Sequence, residues 1–124
     1  MKKKILIVDD ELNVTTFLKT FLEQTGKFEV KTENLGERGL EVARTFQPDL
    51  MLLDIMMNDM GGDRIADTAK NDPMLRKIPI VFMTGIVTKE EVDKNQGRIG
   101  GYAYIAKPIL AMSQLLECIE NHIG

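Results

Sequence analysis

The sequence predicts an α/β domain, a doubly wound parallel sheet with helices on both faces. Two observations carry this. Short apolar runs recur along the chain, and one of them, Asp49-Leu50-Met51-Leu52-Leu53-Asp54, has four apolar residues in a row with no polar alternation. A run of that length and kind suits a strand buried on both faces of a parallel sheet. Between the runs lie segments with apolar residues at helical spacing, so that strand and helix patterns alternate five times. That succession predicts right-handed crossovers and a parallel sheet.

The first run, Lys4-Ile5-Leu6-Ile7-Val8-Asp9, ends in acid, as does the one before Asp54. Residues 12–25 follow with Val14, Phe17, Leu18, Phe21 and Leu22 on one helical stripe, and Gly26 stops them. Residues 28–31 are less apolar, which predicts an edge strand. Asn34-x-x-Glu37 reads as a capping box opening a helix to about Phe46, with Gly39, Leu40, Ala43 and Phe46 inward. The strand ending at Asp54 is followed by turn chemistry at 58–62 and a short helix over 63–70, closed by Asn71-Asp72-Pro73. Residues 79–83 form the fourth strand, with Pro79 where a missing N–H does least harm. Thr88-x-x-Glu91 predicts a helix over 88–98 whose only large apolar residue is Val92, so it is weakly anchored. The fifth strand covers 102–106. A last helix after Pro108 carries Met112, Leu115, Leu116, Ile119 and Ile123.

The chain has 124 residues, 44% apolar and 28% charged, which predicts one domain over 1–124 with an ordinary core. A net charge of −3 argues against a nucleic-acid-binding surface covering it. Lys2-Lys3-Lys4 resembles the start of a signal peptide, but the apolar run behind it is too short for one, or for a membrane span. The single cysteine, Cys118, leaves no internal disulfide and fits a cytoplasmic setting, and the single histidine, His122, leaves no zinc cluster. Cys118 and His122 read as a core thiol and a helix-end polar residue.

In such a fold the strand ends share one edge, where open α/β sheets bind ligands. Asp9, Asp10 and Asp54 converge there if their strands are neighbours. Three close carboxylates need a counter-charge. Lys107, at the end of the fifth strand, is one source. A hard metal is the other; magnesium takes one or two carboxylates and leaves room for a substrate phosphate. Thr84, at the end of the fourth strand, adds a hydroxyl for a phosphate oxygen. Taken singly, each has an ordinary explanation. Asp9-Asp10-Glu11 is an acidic helix start, Thr84 a turn residue, Lys107 a solvated charge and the methionines packing material. Their coincidence at strand ends is what points to acyl-phosphate chemistry.

The ordered set Asp9-Asp10, Asp54, Gly62, Thr84, Tyr104 and Lys107-Pro108 resembles the receiver domain of two-component response regulators, over essentially the whole chain. The resemblance implies a flavodoxin-like five-stranded parallel sheet in the order 2-1-3-4-5. It implies that Asp54 accepts a phosphoryl group from a sensor histidine kinase or phosphotransfer protein. It further implies Mg2+, replaceable by Mn2+ or Ca2+, held by Asp10, Asp54 and the Met56 backbone carbonyl, with Asp9 acting through water. Lys107 is then the charge-neutralising cation, and Thr84 and Tyr104 are the switch residues. They act on a face made by the fourth helix, fifth strand and fifth helix, which meets a downstream protein, an output domain or a second copy. A cis Lys107-Pro108 bond is expected. So is a phosphoacceptor rather than a turnover enzyme, with neither membrane nor direct nucleic-acid binding.

Three features depart from that pattern. Asn58 stands where proline is usual, Met56 and Ile86 are apolar where many members are polar, and Gly97 interrupts the segment before Gly100. Apolar Met56 and Ile86 predict a shielded phosphate and slow dephosphorylation. Two other classes compete. A haloacid-dehalogenase-type hydrolase would need a second acid two residues after Asp54, where Met56 stands. A flavodoxin-like cofactor binder would need a Ser/Thr/Gly-rich loop in place of Asp9-Asp10-Glu11.

Overall fold

The computed structural model describes residues 2–57, 59–85, 98–99, 102–107 and 112–123. In chain order the elements are β1 (Lys3–Val8), α1 (Leu12–Gln24), β2 (Phe28–Glu33), α2 (Gly36–Phe46), β3 (Leu50–Asp54), α3 (Gly62–Lys70), β4 (Ile80–Thr84), β5 (Arg98–Ile99), β6 (Tyr102–Ala106) and α4 (Met112–Ile123). The sheet runs β2-β1-β3-β4-β6-β5. Its five long strands are parallel and lie in the predicted 2-1-3-4-5 order. The two-residue β5 adds an antiparallel edge through the pairs Arg98↔Ala103 and Ile99↔Tyr102. The helix expected over 88–98 is corrected at its end, because Arg98 is strand. Residues 88–97 lie outside the described residues, as do Asn58, Ile86 and Pro108 with its expected cis bond.

Strand alternation divides the interior in two. Ile5, Ile7, Leu50, Leu52, Val81 and Met83 face α1 and α4, meeting Leu18, Leu22, Leu115 and Ile119. Leu6, Val8, Met51, Leu53 and Phe82 face α2 and α3, meeting Leu40, Phe46 and Ile65. All five residues of β3 are buried, so the central strand is a rigid mount for its last residue, Asp54. β2 lies at the sheet's edge and alternates buried with exposed over its first four residues, as its composition predicts.

Two local features bring the helices close to the strand ends. Gly39 lies against Val8, where a Cβ would collide with the valine methyls. Gly62 lies against the Asp54 carbonyl in the same way. The start of β1 is clasped from across the sheet, since Lys4 N–H donates to Asp49 Oδ2 (2.8 Å) and Lys4 Nζ to the Phe46 carbonyl (2.9 Å). The predicted capping box at Asn34 does not form. The N-cap of α2 is Leu35, without a side-chain bond of its own, and Asn34 turns elsewhere.

Candidate functional site

β1 and β3 are adjacent, so Asp9 and Asp10 leave the sheet beside Asp54. One carboxylate oxygen from each of the three lies within 4.8 Å of the others. Asp9 is fully buried, Asp54 is 4% exposed and Asp10 is half-buried. On the other side β4 pairs with β6 through Thr84↔Ala106, and Lys107 N–H donates to the Thr84 carbonyl (2.9 Å). That bond carries the sheet one residue further and turns Lys107 toward the acids.

The Lys107 ammonium sits 2.8 Å from Asp9 Oδ2, 3.1 Å from Glu11 Oε1 and 3.5 Å from Asp54 Oδ2. Burial opposes its charge. The hydrogen bond and field of Asp9, then Glu11 and Asp54, more than compensate and hold its pKa well above the ordinary lysine range. Asp54 moves the other way. Burial, and then repulsion from Asp9, push its carboxyl up to about 6, against Lys107 and the Met56 N–H, which donates to Asp54 Oδ1 at 3.3 Å. Among the described residues, one ammonium therefore meets the carboxylates of Asp9, Glu11 and Asp54, with Asp10 close beside Asp9 and Asp54. The lysine answers part of the negative charge and leaves an excess. Hard oxygen donors with excess negative charge suit a hard divalent cation.

Thr84 is buried at the end of β4, one residue beyond the Asp54↔Met83 pair. Tyr104 lies in β6 opposite Phe82, with ring centroids 5.3 Å apart, and is half-buried. Burial, then the Asp63 charge, raise its phenol pKa. Met56 is 63% exposed at the mouth of the site. Beside Asp54 opens a cavity of about 620 Å3 lined by Glu11, Val14, Phe17, Met56, Lys107 and Met112. Cys118 and His122 stay apart on α4, where His122 Nδ1 bonds the Cys118 carbonyl (2.7 Å).

Three residues of the site were not singled out by sequence reasoning. Glu11, read as helix-start acidity, is a direct partner of Lys107. Asn34, read as a cap, donates to the Asp9 carbonyl (2.7 Å) and to Thr15 Oγ1 (3.1 Å). Asp59, read as turn chemistry, accepts from the Gly36 and Glu37 amides (3.0 and 3.1 Å) and thereby caps α2 from another loop. The usable signal was the missing polar residue at Leu35, which leaves the first turn of α2 short of a local acceptor.

Acids and a lysine gathered at the carboxyl edge of a doubly wound sheet make a site suited to a divalent cation and a phosphate group. The response regulator receiver domain family model matches residues 5–120, and the chain belongs to that family. It is 36% identical over 126 residues to the polar-differentiation response regulator DivK of Brucella anthropi, covering 100% of this chain and 98% of that protein. The N-terminal domain of a response regulator receiver protein from Methanoculleus marisnigri is 37% identical, with a TM-score of 0.70, over 98% of this chain and 96% of that one. The chemotaxis protein CheY4 of Vibrio cholerae is 22% identical and shares the fold, with a TM-score of 0.82 over 98% and 99% of the two chains. The chain is thus a receiver domain of two-component signalling, a system that works through phosphorylation and through histidine-kinase or phosphotransfer partners. Among the described residues no helix is long and apolar enough to cross a membrane.

Proposed function

We propose that Asp54 is the phosphoacceptor and that the domain acts as a stoichiometric switch, not as a turnover enzyme. The observation that carries this is the position of Lys107, whose ammonium lies within hydrogen-bonding reach of both Asp9 and Asp54 in a cluster that still has charge to spare for a cation. An Asp54 carboxylate oxygen forms the bond to phosphorus as the donor's N–P bond breaks. The bonding pair stays on the histidine nitrogen. When bound, Mg2+ (or Mn2+ or Ca2+) held by Asp10, Asp54 and the Met56 carbonyl, with Asp9 acting through water, supplies positive charge to the transferring oxygens. Lys107 supplies more. Thr84 then offers its hydroxyl to the new phosphate, and Tyr104 moves into the space behind it. Those two motions carry the signal to the face that includes β6 and α4, where a protein target, an output domain or a second copy docks.

Exposed Phe17 and Met56 border the cavity next to Asp54, which gives a phosphodonor protein an apolar surface to cover. No nucleic-acid contact is assigned to this domain. The decisive experiment is incubation with acetyl phosphate and MgCl2, followed by intact mass. The wild type should gain one phosphoryl group and Asp54→Ala none; an equal gain in both proteins removes Asp54 from the role.

The lifetime of the phosphate depends on Met56. Its thioether side chain has no group that can orient an attacking water. Met56→Asn should therefore lose its label several-fold faster after removal of acetyl phosphate. Identical decay in the two proteins would count against shielding by Met56.

A further inference from the structure

We propose that Asp59 is a positioning residue for the cation and phosphate site, holding residues 59–61, and through them 55–57, against the N-terminus of α2. The inference rests on the reading of Asp54 as a cation-dependent phosphoacceptor. The loop begins with Ile55, whose N–H donates to the Met83 carbonyl (3.2 Å), and ends with Gly62, whose N–H donates to the Ile55 carbonyl (3.2 Å). Between these fixed ends lies Met56, whose amide holds Asp54 Oδ1 and whose carbonyl is the assigned cation ligand. Asp59 is the far anchor of the same loop. Its two carboxylate oxygens accept separately from the Gly36 and Glu37 amides. These bonds, Gly36 first, hold its carboxyl below the usual range, so it binds as an anion. Charge-assisted bonds to amides at a helix N-terminus are stronger than neutral ones.

A second contact points the same way. Gly36 is packed so closely against the Met60 carbonyl and Cβ that any Cβ on residue 36 would collide with them. The loop therefore rests on the first turn of α2 through both Asp59 and Met60. The preceding residues tie down the opposite wall, because Asn34 donates to the carbonyl of Asp9. Residues 34–37 are thus bonded to the two acid-bearing loops at once and set the distance between them. The family resemblance names none of these residues for the site.

The test uses three variants and a binding readout. Asp59→Ala removes the anchor, Asp59→Asn keeps an acceptor, and Gly36→Ala pushes the loop away from the other side. Mg2+ affinity is measured by isothermal titration without any phosphodonor, and amide exchange of Met56 and Met57 is followed in metal-free protein. We expect Asp59→Ala and Gly36→Ala to weaken Mg2+ binding several-fold and to speed exchange at Met56, with Asp59→Asn, which keeps one of the two acceptors and loses the charge, lying between Asp59→Ala and wild type on both. Arg44→Ala breaks a pair with Asp72 away from the acids and should change neither. Wild-type Mg2+ affinity and Met56 exchange in Asp59→Ala would overturn the proposal while leaving phosphorylation of Asp54 intact. Absence of Mg2+ binding by the wild-type chain would overturn the underlying cation-dependent reading instead.

Discussion

Lys107→Ala should lose stability and phosphorylation together, and Mg2+ should rescue the first more than the second. In the wild type the Lys107 side chain is only 15% exposed, and its ammonium pairs with a fully buried Asp9. Removing one partner of such a pair leaves an uncompensated buried charge and costs about 3 kcal/mol or more. Here Asp54 shares the consequence, because its carboxyl is already at about 6 with the lysine present and must rise further without it. In urea unfolding at pH 7.5 without divalent cations, the variant should unfold at a clearly lower midpoint. Adding MgCl2 should recover much of that loss, since the cation answers the same carboxylates. Phosphorylation by acetyl phosphate should stay slower by a factor of about 100 even then, because a preorganised charge aimed at the transferring oxygens is missing. Coincident unfolding curves for wild type and variant would show that the lysine is not the counter-charge for this cluster.

Asp54→Asn should make the metal-free protein more stable, and the gain should depend on pH. The folded-state pKa of Asp54, about 6, is above its ordinary value of 3.8. Below about pH 3 both folded and unfolded chains carry the proton and the residue contributes nothing. As pH rises from there, the unfolded chain gives up its proton first, so stability falls until the folded carboxyl has also ionised. Above about pH 7 the penalty is complete, at roughly 1.4 kcal/mol for each pKa unit of difference. That amounts to about 2–3 kcal/mol as an upper bound for a group this buried. Asparagine has no charge to expose to this penalty. Urea midpoints should coincide near pH 3 and separate at pH 7.5, with the variant ahead. With Mg2+ the wild type should catch up and the variant should gain less. A gap of equal size at both pH values would mean that packing, not ionisation, sets the difference.

The two core faces were legible because apolar residues bury themselves by local periodicity. Leu18 and Leu22 on α1, and Leu115 and Ile119 on α4, stand inside for the reason their spacing suggests. The acid cluster was legible because strand ends must share an edge, so Asp9, Asp10, Asp54, Thr84 and Lys107 could be assigned to one place before any distance was known. The contacts that were missed are non-local hydrogen bonds. A capping rule sees Asn34 and Glu37 three residues apart. It does not see that Asn34 emerges beside the end of β1, where the Asp9 carbonyl competes for its amide. Nor does it see Asp59 arriving from 23 residues away to take the amide of Gly36. β5 was invisible for a different reason: two residues have no period, and Arg98 fitted the end of a helical segment equally well.

The bond between Lys107 and Asp9 joins residues 98 positions apart in the chain. β1, β2 and β3, with both of their crossover helices, lie within the first 54 residues and form the sheet's first three positions. β4 and β6, which bring Thr84 and Lys107 to the same edge, come from the second half of the chain and complete both core faces. Closing so long a loop carries an entropic cost that only the finished sheet offsets. The acids and their counter-charge therefore meet as a property of the whole domain, and a chain cut before residue 107 would keep the carboxylates and lose the ion that balances them.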